Sequence, residues 1–298
     1  MRVTGTHMDL AAQARTLPSE AFVGTAITEG EAHSGSPFLL LPVLTRSTSL
    51  LTLVLQDGAV DLDLASSVAG LDPGLAFGIL QAANLHREEG SEPIWQLPLA
   101  VVSAGREAIG QLVERASRIE DWGHGGMRLR LSQLVRNAVV RSCVAYLLAR
   151  EMGGCQPRKA YLAGLLLELP GLARLARPET SQVTLLSILC HTLPAAVVRA
   201  VMAAKADSSQ ADSCEPIVAI ALIGQRVLEV HAAGSELGAW LEDLAGKPLW
   251  DCWKGTDARQ RMALLSHCCG MAAWAAANLH LLDPWEFTAR LECGNTRR

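Results

Sequence analysis

Aromatic side chains are scarce in this sequence: four phenylalanines, two tyrosines and seven tryptophans among 298 residues. Strands draw on aromatic and β-branched residues, whereas the alanine and leucine that fill most windows here cost little in a helix. A sheet-based fold is therefore excluded, and an all-α, multi-helical class is expected. A basic surplus is missing too, since the formal net charge is −4. That argues against nucleic acid as a partner, because a broad nucleic-acid surface needs cations to displace counterions. Long apolar runs are also lacking. The most apolar windows, such as 217–224, are far too short to span a bilayer. No basic stretch followed by an apolar core opens the chain, so no secretory leader is read and a soluble, cytoplasmic protein with no membrane contact is expected. The eight cysteines (143, 155, 190, 214, 252, 268, 269 and 293) include no C-x-x-C pair. They read as reduced thiols acting as small hydrophobes.

The familiar chemical signatures are absent as well. Gly246-Lys247 is followed by Pro248, and Lys254-Gly255-Thr256 lacks the glycine spacing of a phosphate-cradling loop. Gly123-His124-Gly125-Gly126 follows no strand, so it reads as a joint rather than a dinucleotide fingerprint. There is no G-x-S-x-G elbow. His267, Cys268, Cys269 and His280 do not make a metal cluster: on one helix the two histidines are about 20 Å apart along the axis, and adjacent cysteines diverge by about 100°. No cofactor is implied.

What is present is a succession of helical segments. Residues 1–37 read as an arm, with one short helix over 10–17 and a linker over 29–37 rich in Gly, Ser and Glu. Residues 38–234 read as the body, in two parts. A smaller bundle over 38–121 begins with a helix opened by Pro42 and running to Gln56. A second helix follows, capped by Asp61 or Asp63. The third starts at Asp72-Pro73, an N-cap followed by proline at the first helical position, and ends near Asn84. Two further helices, 98–104 and 106–118, meet at Gly105. The larger part, 127–234, holds a long helix over 131–152 and a helix starting at Pro157 and stopped by Pro170. Helices over 180–190, 194–205 and 216–231 complete it. Residues 235–298 form a helical extension with five of the seven tryptophans (240, 250, 253, 274 and 285), expected to pack back on the body.

In order and spacing, three groups of residues resemble the N-terminal half of the HDOD family. They are Leu41, Pro42 and Leu44; Asp72, Pro73, Leu75, Ile79, Leu80, Ala83 and Asn84; and Ile94, Ala100, Val101 and Gly105. Ala163-Gly164-Leu165-Leu166-Leu167-Glu168 is similar to the "A-G-L-L-H-D" helix of HD-type phosphohydrolases, and Leu193-Pro194 to their later "L-P" helix. The resemblance covers about 38–234. It implies a small N-terminal helical bundle packed on an HD-like bundle, with Pro42, Asp72, Pro73, Asn84, Gly105, Gly164 and Pro194 as scaffold residues.

The resemblance also says what to look for chemically. HD hydrolases use a His, a His-Asp dyad and a distal Asp around a metal that activates water. Here the first His position holds Asn137, the dyad is Leu167-Glu168, and a later His pair is replaced by Ala204-Lys205. No histidine lies between His124 and His191, and no acid between Pro216 and Leu228. The expectation is that no metal and no catalytic residue is retained. The implied function is that of HDOD modules: a non-enzymatic bacterial signal-transduction protein working through protein contacts. The alternative is a nucleotide or cyclic-dinucleotide binding module that uses the altered pocket; a metal-dependent phosphohydrolase is the third reading. Arg128, Arg130, Arg136 and Arg141 mark a locally basic stretch, read either as a solvated helix face or as a surface for an anionic partner.

Overall fold

The computed structural model describes residues 38–56, 61–85, 87–88, 90–122, 125–152 and 155–203, together with single positions between 217 and 270. Among the described residues every regular element is a helix, and the only pairing of extended backbone is an isolated bridge between Val43 and Arg118. The arm, Ala204, Lys205 and the tail tryptophans lie outside the described residues.

Helix α1 spans Thr45–Gln56, α2 Leu62–Gly70, α3 Pro73–Asn84 and α4 Leu97–Arg115; a single 3-10 turn follows at Ile119–Asp121. Pro42 does not open α1, contrary to expectation. The Val43 amide donates to the Ser117 carbonyl (2.9 Å), and the Val43 carbonyl accepts from Ile119 N (2.8 Å). With its backbone groups committed sideways, Val43 stays extended and the helix starts two residues later. Glu120 then caps α1 from a distance, its Oε2 accepting from Thr45 N (3.0 Å) and Thr45 Oγ1 (2.7 Å). α4 bends where the sequence placed a joint: Gly105 has φ 76°, a backbone region that costs glycine nothing and other residues about 1 kcal/mol or more.

α3 is the hub of this first half. Its Pro73–Gln81 stretch is buried on every side, so apolar residues recur without a polar face. Buried Gln81 fixes the leading strand-like segment, donating from Nε2 to Leu39 O (3.0 Å) and accepting at Oε1 from Leu39 N (2.9 Å). These two bonds satisfy a buried amide and a buried backbone pair together.

The second half is built on α5, Gly125–Met152, followed by α6 Pro157–Leu166, α7 Leu169–Ala176, α8 Gln182–Thr192 and α9 Ala195–Ala203. α5 begins six residues earlier than the apolar pattern predicts, since Gly125 and Gly126 belong to its first turn. Leu131, Val135, Ala138, Val139, Ser142, Ala145 and Ala149 lie in the core, with Leu134 and Tyr146 at the rim; Val140, Cys143, Val144, Leu147 and Leu148 are buried as well. Neighbours thus surround the helix. Pro170 also behaves differently from the expectation. It does not merely end α6 but sits in the first turn of α7, where its missing N–H costs nothing. Leu167 and Glu168 form the elbow between the two helices.

Several contacts join the halves. Tyr161 Oη donates to Gly70 O (2.9 Å). Lys159 Nζ lies 5.0 Å from the centre of the Trp95 ring. Asn84 and Arg87 reach the last carbonyls of α8. Leu80 and Leu189 belong to one continuous core.

Candidate functional site

Gly164 determines how α6 lies on α5. A Cβ at this position would stand 3.1 Å from Ser142 Cα, 3.2 Å from Arg141 O and 3.2 Å from Ala145 Cβ. Those contacts are tighter than ordinary van der Waals distance, so the glycine favours the close approach that brings the α6–α7 elbow up to the middle of α5. Leu167 turns inward there and is 4% exposed. Glu168 accepts at Oε1 from Arg141 Nη2 at 2.7 Å, with side-chain exposures of 17% and 7%. One turn before Arg141, Asn137 Oδ1 accepts from Gln133 Nε2 at 2.8 Å.

These residues do not fit a divalent metal. Leu167 has no donor atom, the Asn137 oxygen is engaged by Gln133, and one Glu168 oxygen is engaged by a guanidinium whose charge repels a second cation. Hard divalent ions need several oxygens at once. Among the described residues no group of three or more His, Cys, Asp or Glu is placed to hold a metal. Ala204 and Lys205 lie outside the described residues. Cys143, Cys155, Cys190 and Cys268 form no disulfide. Burial pushes the Cys143 thiol well above its ordinary range, against the weaker opposing effect of its own backbone hydrogen bond. It is a packed hydrophobe and a poor nucleophile.

Arg141 therefore does not belong with the surface arginines. Arg128, Arg130 and Arg136 are exposed along the first half of α5, whereas Arg141 is buried because α6 and the elbow cover its turn. The sequence carried a signal for this. Arg141 interrupts the apolar run 138–149, and Glu151 and Glu168 are the only acids between Asp121 and Glu179. Glu151 pairs with its neighbour Arg150 at 3.1 Å, which leaves Glu168 for Arg141.

The remaining signature residues hold the scaffold. Asp72 Oδ1 accepts from Gly74 N (2.9 Å) and Leu75 N (3.1 Å), and Oδ2 accepts from Leu44 N (2.7 Å). Complete burial raises its pKa to about 6, against those three amides; the Glu120 charge adds to the rise. Asn84 is fully buried: Nδ2 donates to Leu80 O and Ile94 O (2.8 Å each) and Oδ1 accepts from Ile94 N (2.8 Å). Pro42 is buried, and Pro194 starts α9 by accepting from Val198 N (3.0 Å). Sequence reasoning missed a second cluster, Arg87 with His191. Arg87 Nη2 donates to His191 O at 3.2 Å and Nη1 to Ser91 O, while burial and then the Arg87 charge lower the imidazole pKa.

Among the described residues no helix is long and apolar enough to cross a membrane. A comparison with curated proteins found no match. Two solved structures share the fold. One is the MmoQ response regulator from Methylococcus capsulatus str. Bath, 16% identical with a TM-score of 0.55, covering 77% of this chain and 97% of that one. The other is a fragment (20–298) of the same regulator, 15% identical with a TM-score of 0.55, covering 74% of this chain and 94% of that one. The family model for the HDOD domain matches residues 41–207, more than half of the sequence. The chain belongs to the HDOD domain family.

Proposed function

We propose that this is a regulatory, signal-transducing protein that acts through protein contacts and catalyses no reaction. One observation carries the reading: where the resemblance to HD hydrolases implies a metal-binding His-Asp dyad, this chain has a buried leucine and a glutamate already paired with an arginine. Family membership and the likeness of fold to a response regulator agree with it. Hydrogen bonds, a cation–π contact and a shared core join the two halves into one surface, which suits a partner that reads shape. The nucleotide-binding reading finds less support. Arg128 and Arg136 are eight residues apart, about 12 Å along the helix, and Arg141 faces the interior.

The test is to incubate purified protein with Mn²⁺ and either cyclic dinucleotides or nucleoside phosphates, and to measure both turnover and bound nucleotide. Neither is expected. Turnover would overturn the non-catalytic reading, and saturable nucleotide binding would replace protein contact with messenger recognition.

A further inference from the structure

Glu168 is largely covered at the α6–α7 elbow, with 17% of its side chain exposed, and a positive partner stands beside it. Arg141 Nη2 reaches Glu168 Oε1 at 2.7 Å from the adjacent helix. Arg141 Nε is buried with no hydrogen-bond partner among the described residues, so the contact of Nη2 with Glu168 Oε1 is the polar interaction that accounts for its placement. Apolar groups close the pocket around the pair: Leu167 beside the acid, Leu134 against Gly171 on α7, and Gly164 against the Arg141 carbonyl.

We infer that the Arg141 guanidinium is the resident cation of this pocket, taking by charge the place that a divalent metal has in HD hydrolases. Glu168 is then the receptor half of a guanidinium site that the chain fills with its own side chain. The inference rests on the metal-free reading above and deepens it, because it names what compensates the one carboxylate left at the dyad. A largely covered carboxylate left without its cation is destabilising, whereas a pair removed together need not be.

Chemical rescue tests it. Arg141→Ala should lower the melting temperature by roughly 5–10 °C. Guanidinium chloride at sub-denaturing concentration should raise the melting point of that variant, because the ion binds the folded state beside Glu168. The same salt should lower the melting point of the wild-type protein, and potassium chloride of equal ionic strength should rescue nothing. Arg141→Ala/Glu168→Gln should show no gain. Absence of guanidinium-specific rescue, or rescue that survives Glu168→Gln, would overturn the inference.

A second pair of variants decides the matter even if Arg141→Ala does not fold. Arg141→Met/Glu168→Leu should melt well above Arg141→Met alone, and a double variant as unstable as the single one would also overturn it. Wild-type protein titrated with Mn²⁺ by water-proton relaxation should show no saturable site, and a site lost on Glu168→Gln would sink the idea. Failure of the rescue leaves the non-catalytic reading standing, whereas that reading falls only to turnover.

Discussion

Asn84 and Thr192, 108 positions apart, meet where the two helical halves join: Asn84 Nδ2 lies 3.4 Å from the Thr192 carbonyl while serving Leu80 O and Ile94 O at 2.8 Å. A single buried amide thus closes α3, fixes the segment leading to α4 and touches the end of α8. Asn84→Ala would leave the part-buried Ile94 N and O without their side-chain partners. The expected cost is about 2–3 kcal/mol, read as a lower urea midpoint. Asn84→Asp should cost at least as much, since it keeps the acceptor for Ile94 N but points an oxygen at the carbonyls. Equal stability of Asn84→Ala and wild type would remove the amide from this role.

Asp72 has a pH signature of definite sign. Its pKa in the folded chain is raised to about 6 from 3.8, so the folded state holds the proton more tightly than the unfolded state between these values. The resulting stabilisation is fully present below the unfolded pKa and is lost as pH rises through about 6. Asp72→Asn cannot titrate, and its amide would face the Leu44 N–H donor to donor, costing about 1–3 kcal/mol. The gap between wild type and Asp72→Asn should widen by roughly 1.4 kcal/mol from about pH 7 to about pH 5. Denaturant melts at the two pH values check this; a gap that narrows on acidification contradicts it.

Reading the sequence alone reached some of this and missed the rest for physical reasons. Helical class, the Asp72-Pro73 start and the Gly105 joint are encoded within a few residues, where capping and permitted φ decide the outcome. The α5 core is less legible, because neighbours bury residues nearly all round the helix and blur its periodicity. Errors fall where distant partners intervene. Pro42 looks like a helix opener until Ser117 and Ile119 take the Val43 backbone. Arg141 looks like a surface cation until α6 and Glu168 cover it, although the shortage of acids in the second half already pointed to their pairing. That Leu167 offers no donor atom depends on residue type alone, and needs no structure to be seen.

His191 supplies the opposite pH dependence at the junction. Burial first, and then the Arg87 guanidinium, lower its pKa from 6.5, against a stabilising bond to the Asn84 backbone. The folded state therefore binds the proton less tightly. The contribution to stability is present above pH 6.5 and is lost as pH falls through the depressed value. Arg87→Met should move the imidazole pKa part of the way back up, with burial accounting for the remainder. An NMR titration of the His191 ring protons in both proteins measures it. An unchanged pKa would show that Arg87 exerts no field on the ring.

Two glycines inside helices should respond to alanine in opposite directions. At Gly164 the new Cβ would lie 3.1 Å from Ser142 Cα and 3.2 Å from the Arg141 carbonyl, contacts with backbone that cannot rotate away. Gly110, in α4, has nothing within 4 Å of the same atom. Alanine gains up to about 1 kcal/mol over glycine in a helix through backbone entropy. At Gly110 that gain should appear nearly whole, raising the urea midpoint. At Gly164 it should be outweighed by an overpacking cost of about 1–3 kcal/mol, because α6 must back away from α5 to admit the methyl group. Since Arg141 and Glu168 face each other across that crossing, Gly164→Ala should also weaken their coupling. A double-mutant cycle of Arg141→Met and Glu168→Leu, run in the wild-type background and again in the Gly164→Ala background, measures this directly. A coupling energy unchanged by the added methyl would mean that the ion pair does not depend on the close approach of the two helices.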